Sequence, residues 1–344
     1  MINMYFYYLI LIIVIAFDSL MVYQMYLEWK TFISPPRIYM GKASVIVPTK
    51  EDKEVAYRSI ESLVKQDYED YELIVVVDRE DANYYSFPDN VKVIVSDYNC
   101  EKCSGKIKAI LSGLKRANGN IIVFADSDSI YPNRWLSSLI GALDEKRVAT
   151  TFSWPLLLNH SIQSLIKAGF WTLGFEAQTT KGKFLWGGSM AFHRKFFTED
   201  VERILRENIC DDCTLTKIVK ARGMEISFVR ELPLFLIKEG SLDWFIRQVL
   251  TVKSQSILTI LILIGLTSFF LISLLCFLLT INTLFLTPFF FWTVKNLWRS
   301  RKYLPKSILP SVFSTISIFF AFTVLLVYGR RKCYVWKGRK YCFS

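Results

Sequence analysis

Residues 120–128 read NIIVFADSD, an apolar run that ends in two carboxylates separated by one residue. A short continuous apolar run of this kind is typical of a strand that is buried on both faces of a parallel sheet. The pattern predicts a strand over 120–125, with Asp126 and Asp128 at its carboxyl end.

Further apolar runs alternate with segments of helical periodicity on the N-terminal side of this strand. Strands are predicted at 43–48, 73–77 and 91–95, and helices at 53–66 and 106–117. Alternating strands and helices predict an α/β domain with a doubly wound, Rossmann-like sheet.

Acidic residues follow several of the predicted strands, namely Glu51, Asp52, Asp78, Asp126 and Asp128. Ligands of open α/β sheets bind beyond the carboxyl ends of the strands, so these side chains are expected in one crevice. Carboxylates repel phosphates unless a divalent cation joins them, and Mg²⁺ or Mn²⁺ prefers such oxygen ligands. The alternative for an Asp-x-Asp is a turn that merely ends a strand. Its position in a βαβ pattern favours a metal-bound nucleotide diphosphate, with Asp128 on the metal and Asp126 nearby.

The two ends of the chain are strongly apolar. Residues 4–27 form a run of about 24 mostly apolar positions, enough to cross a bilayer. A cleaved signal peptide is the alternative, but the run is long and lacks a basic start and a small-residue cleavage site. Asp18 lies within it and predicts packing against other helices.

These features divide the chain into five parts: a transmembrane helix (4–27), a catalytic domain (41–240), an interfacial amphipathic helix (241–255), two or three membrane segments (256–328) and a basic cytoplasmic tail (329–344). Much of the net charge of +11 flanks the apolar segments, which marks cytoplasmic ends rather than a nucleic-acid surface. In an integral membrane protein whose catalytic domain and basic tail are both cytoplasmic, an even number of crossings must follow the domain. Either 283–297 or 307–328 is therefore expected to lie in the interface.

Residues 186–189 read Trp186-Gly187-Gly188-Ser189. Two glycines allow close approach of the backbone to a ligand, and a tryptophan ring is a flat surface for a sugar. A tight turn with a packing tryptophan explains the same residues equally well.

The chain resembles family-2 glycosyltransferases of the GT-A fold, and most closely the membrane-bound, ceramide-glucosyltransferase-like members. The resemblance rests on four stretches: Pro48-Thr49-Lys50-Glu51-Asp52, Gly105-Lys106 with the small and apolar residues that follow, Trp186 to Phe192, and Asp211-Asp212-Cys213-Thr214-Leu215. It covers most of residues 43–250. It implies an inverting hexosyltransferase that uses a nucleotide-diphosphate sugar and Mn²⁺ or Mg²⁺.

The family's site residues transfer position by position. Asp212 matches the aspartate that acts as general base, with Asp211 beside it, although an Asp before a helix is often only an N-cap. The residues implied in nucleotide-sugar binding are Pro48, Thr49, Asp52, Asp78, Lys106, Asp126, Arg247 and Gln248. The helix at 242–250 departs from the family's Gln-x-x-Arg-Trp motif, because Thr251 and Val252 stand where Arg and Trp are expected. Processive polymer synthesis is therefore less expected.

Two C-x-x-C pairs, Cys100 with Cys103 and Cys210 with Cys213, have a spacing found in structural zinc sites. Disulfides and free thiols are the alternatives.

These observations predict an enzyme that transfers a sugar to the hydroxyl of a membrane lipid at the cytoplasmic face. A polyprenyl-phosphate glycosyltransferase, a polysaccharide synthase and a non-catalytic membrane scaffold are the alternatives. Carboxylates at every expected strand end argue against the scaffold, because clustered charge is costly without a use.

Overall fold

The structure is a computed structural model that describes residues 4–336 and 338–342. Of the predicted tail at 329–344, residues 337, 343 and 344 lie outside the described residues, as do residues 1–3. The described helices are α1 (Met4–Thr31), α2 (Lys53–Val64), α3 (Gly105–Arg116), α4 (Trp135–Gly141), α5 (Ile162–Trp171), α6 (Glu199–Arg206), α7 (Asp211–Ala221), α8 (Leu242–Gln255), α9 (Ile257–Thr280), α10 (Thr287–Arg299) and α11 (Ile308–Tyr328).

The described strands are β1 (Ala43–Thr49), β2 (Tyr71–Val77), β3 (Val91–Val95), β4 (Ile121–Ala125), β5 (Ser129–Ile130), β6 (Arg147–Thr150), β7 (Trp154–Leu157), β8 (Ser189–His193), β9 (Glu225–Phe228), β10 (Leu234–Ile237), β11 (Cys333–Trp336) and β12 (Arg339–Cys342). Short 3₁₀ helices lie between several of these elements.

The central sheet has seven strands in the order β3-β2-β1-β4-β8-β6-β9. Strands β1 to β4 are mutually parallel, which confirms the predicted α/β fold class. Strand β8 is antiparallel to β4 and was not predicted; the register pairs Ala125 with Ser189. Because β8 begins where β4 ends, residues 186–188 arrive beside the Asp-x-Asp stretch.

Local sequence sets the starts of the helices that follow β1 and β3. The side chain of Asp52 accepts a hydrogen bond from the Val55 N–H and caps α2, and Ser104 caps α3 through the Ile107 N–H. An oxygen at this position satisfies one of the free N–H groups of a helix N-terminus. Both helices bury their apolar faces against the sheet, which is closed to water on both sides.

The chain divides into two compact units. The unit that contains the sheet comprises 31–154 and 180–236, and the other comprises 1–30, 155–179 and 237–344. Residues 155–179 fall within the predicted catalytic range of 41–240 but pack in the second unit. The reason is a close helix contact: Gly169 of α5 has no side chain, and a Cβ there would lie 2.4 Å from the carbonyl oxygen of Phe313 in α11.

The second unit holds three helices that are long and apolar enough to cross a membrane: Tyr7–Thr31 of α1, α9 and α11. Helix α10 is shorter and more polar, yet it lies alongside α1 in a parallel register. Asn282 bonds to the Tyr7 hydroxyl, and Arg299 bonds to Glu28. Tyr7 and Glu28 are separated by about 30 Å at the α-helical rise. The segment 282–299 therefore extends along a span-length portion of α1.

Helix α11 takes a different course. The Asn296 side chain, near the end of α10, donates to the Ser314 hydroxyl at 3.1 Å. At the other end of α11, Lys253 of α8 donates to the carbonyl oxygen of Gly329. Lys253 lies just before the start of α9, so α11 contacts the segment before α9 at its end and the end of α10 through its second turn. Phe319, in the middle of α11, packs against Phe270 of α9.

Four charged side chains form an ion network inside this unit. Arg299 bonds to Glu28 at 2.9 Å and to Glu176 at 2.6 Å, and Lys295 bonds to the second oxygen of Glu176 at 2.6 Å. The Lys295, Arg299 and Glu28 side chains are at most 2% exposed. Two acids and two bases leave no net charge, which permits their burial.

Removal of one member of this network is expected to destabilise the protein strongly. Glu28→Gln should lower the free energy of unfolding by about 3 kcal/mol or more, because it leaves a buried arginine without its main partner. The matched control is Glu61→Gln, which breaks the exposed Glu61–Lys65 pair and should cost about 0.5 kcal/mol or less. Thermal unfolding in detergent measures both; equal shifts would contradict the prediction.

Candidate active site

The predicted metal residues, and the predicted nucleotide residues other than Arg247 and Gln248, lie at or near the carboxyl-terminal ends of the parallel strands. Parallel strands β1, β2 and β4 are neighbours, so their carboxyl ends meet there. The Ser127 hydroxyl donates to the carbonyl oxygen of Pro48 at 3.2 Å and ties the Asp-x-Asp stretch to the end of β1. The sheet topology thus brings Asp126 and Asp128 to the end of β1, as the sequence predicted.

Lys106, in the first turn of α3, supplies positive charge among the carboxylates at these strand ends. Its Nζ lies 2.7 Å from Oδ1 of Asp126 and 3.3 Å from Oδ2 of Asp211. Burial by itself lowers the pKa of an ammonium group. Here the surrounding carboxylates outweigh burial and hold the pKa of Lys106 above its usual value. Lys106 is therefore charged at any physiological pH.

Asp212, the predicted general base, lies in the first turn of α7. Its Oδ2 accepts a hydrogen bond from the Gly187 N–H at 3.0 Å, and its Oδ1 accepts one from the Cys213 N–H at 2.8 Å. Burial, and then the negative charge of Asp211, raise the pKa of Asp212 to about 7. A carboxylate with a pKa in this range is suited to take a proton near neutral pH.

The glycine loop lies directly against these charged groups. A Cβ at Gly187 would lie 2.7 Å from Nζ of Lys106 and 2.8 Å from Oδ2 of Asp211, and a Cβ at Gly188 would lie 2.7 Å from Oδ2 of Asp126. Only residues without a side chain fit there. The loop therefore supplies backbone to the site.

Trp186 and Ser189 support the loop from the interior. The Trp186 ring is 5% exposed and packs edge-on against Phe152, with ring centroids 5.5 Å apart. The Ser189 hydroxyl accepts a hydrogen bond from the indole N–H of Trp135 at 2.8 Å. Of the two interpretations that the sequence left open for this tryptophan, its burial favours the packing role.

The remaining nucleotide candidates have structural partners of their own. Asp52 caps α2, and the Thr49 hydroxyl donates to the carbonyl oxygen of Val47 at 3.1 Å. Asp78 forms an ion pair of 2.8 Å with Lys50. Lys50 was not predicted as a site residue, although it lies between Thr49 and Glu51 at the end of β1.

Arg247 and Gln248 lie on α8, in the other compact unit. The guanidinium of Arg247 lies over the Trp336 ring, 4.4 Å from its centroid. This cation–π contact connects α8 to the hairpin formed by β11 and β12, and it orients the predicted diphosphate clamp.

Asp126 and Asp128 fit a hard divalent cation. Both offer carboxylate oxygens, which are the donors that Mg²⁺ and Mn²⁺ prefer. Oδ2 of Asp126 lies 2.7 Å from the position that a Cβ at Gly188 would take, and Oδ1 of Asp126 is held by Lys106. Lys106 forms its ion pair with Asp126 rather than with Asp128, and the role of Asp128 as the main ligand stays a prediction.

Comparison with known proteins identifies the domain that carries these residues. Residues 44–200 match the family model for glycosyl transferase family 2. The chain carries a family 2 glycosyltransferase domain. A solved structure of the mannosyltransferase PcManGT from Pyrobaculum calidifontis, in complex with GDP-Man and Mn²⁺, aligns with 94% of this chain and 100% of its own, with a TM-score of 0.50 and 16% identity. At that identity the likeness shows the fold alone. No curated protein matches the sequence.

The family 2 domain confirms the prediction of a glycosyltransferase that uses a nucleotide sugar. The GT-A fold is confirmed as well. The finer assignment to ceramide-glucosyltransferase-like members stays a prediction.

The structure does not support the predicted zinc site of the glycosyltransferase domain. Cys100 is bonded to Cys103, and Cys210 is bonded to Cys213, so each C-x-x-C pair closes on itself. A disulfide sulfur has no thiolate to offer to zinc.

Tyr131 is a residue of the glycosyltransferase domain that sequence reasoning missed. Its hydroxyl accepts from the Asp126 N–H at 2.8 Å and lies 3.0 Å from the carbonyl oxygen of Gly188. The buried phenol thus joins the Asp-x-Asp stretch to the glycine loop, and burial raises its pKa well above the usual value. Its position three residues after Asp128 was the available signal.

A methyl group at Gly187 is expected to disable the site without unfolding the domain. Gly187→Ala should lower kcat by tenfold or more, because the Cβ pushes Lys106 and Asp211 away from their partners. Gly265→Ala in α9 is the matched control, since a Cβ there meets no atom within 4 Å. Transfer assays and circular dichroism measure activity and fold; unchanged turnover in Gly187→Ala would contradict the placement of the loop.

Proposed function

We propose that this protein is an inverting glycosyltransferase that moves a sugar from a nucleotide-diphosphate sugar to the hydroxyl of a membrane lipid at the cytoplasmic face. The observation that carries the proposal is the grouping of Lys106, Asp126, Asp211 and Asp212 around the backbone of residues 187 and 188. It places a counter-charge, a metal-ligand carboxylate and a base with a raised pKa beside one another.

Asp212 acts as the base in this mechanism. The acceptor oxygen attacks the anomeric carbon, the bond from that carbon to the diphosphate breaks, and the acceptor proton passes to a carboxylate oxygen of Asp212. A single displacement inverts the anomeric centre. The hydrogen bonds from the Gly187 and Cys213 N–H groups orient the carboxylate for this transfer.

The leaving diphosphate requires positive charge at the strand ends. A divalent cation bound by Asp128 and Asp126 would neutralise that charge as it develops. Lys106 keeps Asp126 in place. The structurally similar mannosyltransferase PcManGT was solved in complex with GDP-Man and Mn²⁺, which makes GDP-mannose the first donor to test here.

The lipid acceptor and the cytoplasmic face are supported by the second unit. Residues 282–299 extend in parallel along α1, and α9 packs against α1 in the opposite direction, with Cys276 near Ile10 and Leu263 near Met21. We infer that α9 and 282–299 form the two crossings after the domain, and that α11 lies in the inner interface. Basic residues at 299–306 and 330–332 then fall on the cytoplasmic side.

Donor and acceptor are tested with purified protein in lipid vesicles, a panel of GDP- and UDP-sugars, and Mn²⁺ or EDTA. We expect metal-dependent transfer that Asp128→Asn and Asp212→Asn both abolish. Transfer that Asp212→Asn retains would indicate a phosphate acceptor, which is already ionised and needs no base. Absence of donor binding would contradict the enzyme and favour the scaffold.

The pH dependence of kcat tests the base separately. Only ionised Asp212 accepts a proton, so kcat should fall about tenfold per pH unit below about 7. Asp211→Asn removes a negative neighbour and should move this limb to lower pH. Lys106→Met removes a positive neighbour and should move it to higher pH. A limb that stays in place in both variants would assign the base to another group.

Epitope insertions test the topology. A tag after residue 281 should bind antibody in intact cells, and a tag after residue 306 only in permeabilised cells. If α11 crosses the membrane and residues 282–299 do not, the tag after residue 306 will be accessible from outside, and the inferred course of both segments will be wrong.

A further inference from the structure

Two C-x-x-C disulfides lie at the starts of α3 and α7, the two helices whose first turns supply charged groups to the site. Cys100–Cys103 is followed at once by Ser104, the cap of α3, and then by Lys106 in the first helical turn. Cys210–Cys213 encloses the start of α7 and therefore Asp211 and Asp212. Each partner of the Lys106–Asp211 ion pair therefore lies close in sequence to a disulfide.

The second disulfide is in contact with the base itself. Cys213 donates its backbone N–H to Oδ1 of Asp212, and Sγ of Cys210 lies 3.1 Å from the same oxygen. Asp212 also accepts from the Gly187 N–H through Oδ2. A ring closed between residues 210 and 213 therefore limits how far the carboxylate can turn away from the glycine loop.

We propose that Cys210 and Cys213 are positioning residues, whose disulfide holds Asp212 in the orientation required for proton transfer. The proposal rests on the base role given to Asp212 above. Reduction breaks the Sγ–Sγ bond, and a dithiol reagent supplies two electrons and two protons while it becomes a disulfide. The two thiols that result no longer constrain the first turn of α7.

Reduction also changes the chemistry around the base. A disulfide sulfur carries no proton, whereas the Cys210 thiol can donate a hydrogen bond to Oδ1 of Asp212. A donor to the ionised carboxylate favours that form. The charged groups that face Asp212 are Asp211 on its own helix and Lys106 on α3, and neither changes charge on reduction. The reduced enzyme should therefore be slower and should lose activity at a lower pH than the oxidised enzyme.

The location of the two sulfurs permits such chemistry. Cys210 and Cys213 are both partly exposed, so a small thiol reaches them without unfolding the domain. The hairpin disulfide Cys333–Cys342 lies in the other compact unit and serves as a control.

The experiment compares kcat, donor KM and the pH profile of the full-length protein in vesicles, before and after treatment with dithiothreitol. Differential alkylation and mass spectrometry record which cysteines are oxidised. We expect reduction, or Cys210→Ser with Cys213→Ser, to lower kcat by about tenfold to a hundredfold with little change in donor KM. The acid limb of the kcat profile should move to lower pH. Cys333→Ser with Cys342→Ser should leave the acid limb of the kcat profile in place.

Two outcomes would overturn the proposal. One is full reduction of Cys210 and Cys213 with kcat and pH profile unchanged; the other is isolation of active enzyme in which both are already thiols. Donor binding by calorimetry separates loss of fold from loss of positioning, because a misfolded variant also loses the donor. Failure of the proposed base is recognised separately, since Asp212→Asn would then retain turnover in the oxidised enzyme.

Discussion

Electrostatic repulsion among carboxylates at the carboxyl-terminal ends of the parallel strands is the constraint on which the site depends. Parallel strands deliver Asp126 and Asp128 to the same edge, and α7 adds Asp211 and Asp212. Lys106 is the counter-charge that makes this grouping tolerable, because it binds Asp126 and Asp211 at once. The glycine loop follows from it, since any side chain at Gly187 would displace these groups.

The two units treat buried charge in different ways. In the second unit, Glu28, Glu176, Lys295 and Arg299 pair with one another, and the network is neutral. In the catalytic unit, Asp126, Asp211 and Asp212 share the single positive charge of Lys106. Burial and the negative charge of Asp211 raise the pKa of Asp212. Complete pairing stabilises a structure, whereas incomplete pairing leaves a group ready to accept a proton or a cation. This contrast separates the structural cluster from the reactive one.

The segment 155–179 shows how the two units share the chain. It leaves the sheet after β6, contributes α5 to the second unit, and returns before the glycine loop. The close approach of Gly169 to α11 and the ion pairs of Glu176 with α10 secure it there. The two parts of the catalytic unit are therefore connected through a segment that belongs to the second unit.

The sequence by itself determined the α/β class, the strands before the acidic residues and the apolar helices, because hydrophobic periodicity and strand ends are local properties. It also indicated Asp126 and Asp128 through motif spacing, which is local, and Asp212 through its resemblance to family-2 glycosyltransferases. Only the tertiary structure decided the antiparallel β8, the pairing of Lys106 with Asp211, the role of Tyr131 and the closure of each C-x-x-C pair on itself. It also decided the pairing of Lys295 and Arg299, both in α10, with Glu28 and Glu176. Their partners, Glu28 and Glu176, are far away in sequence, and a charge is neutralised by what lies near it in space.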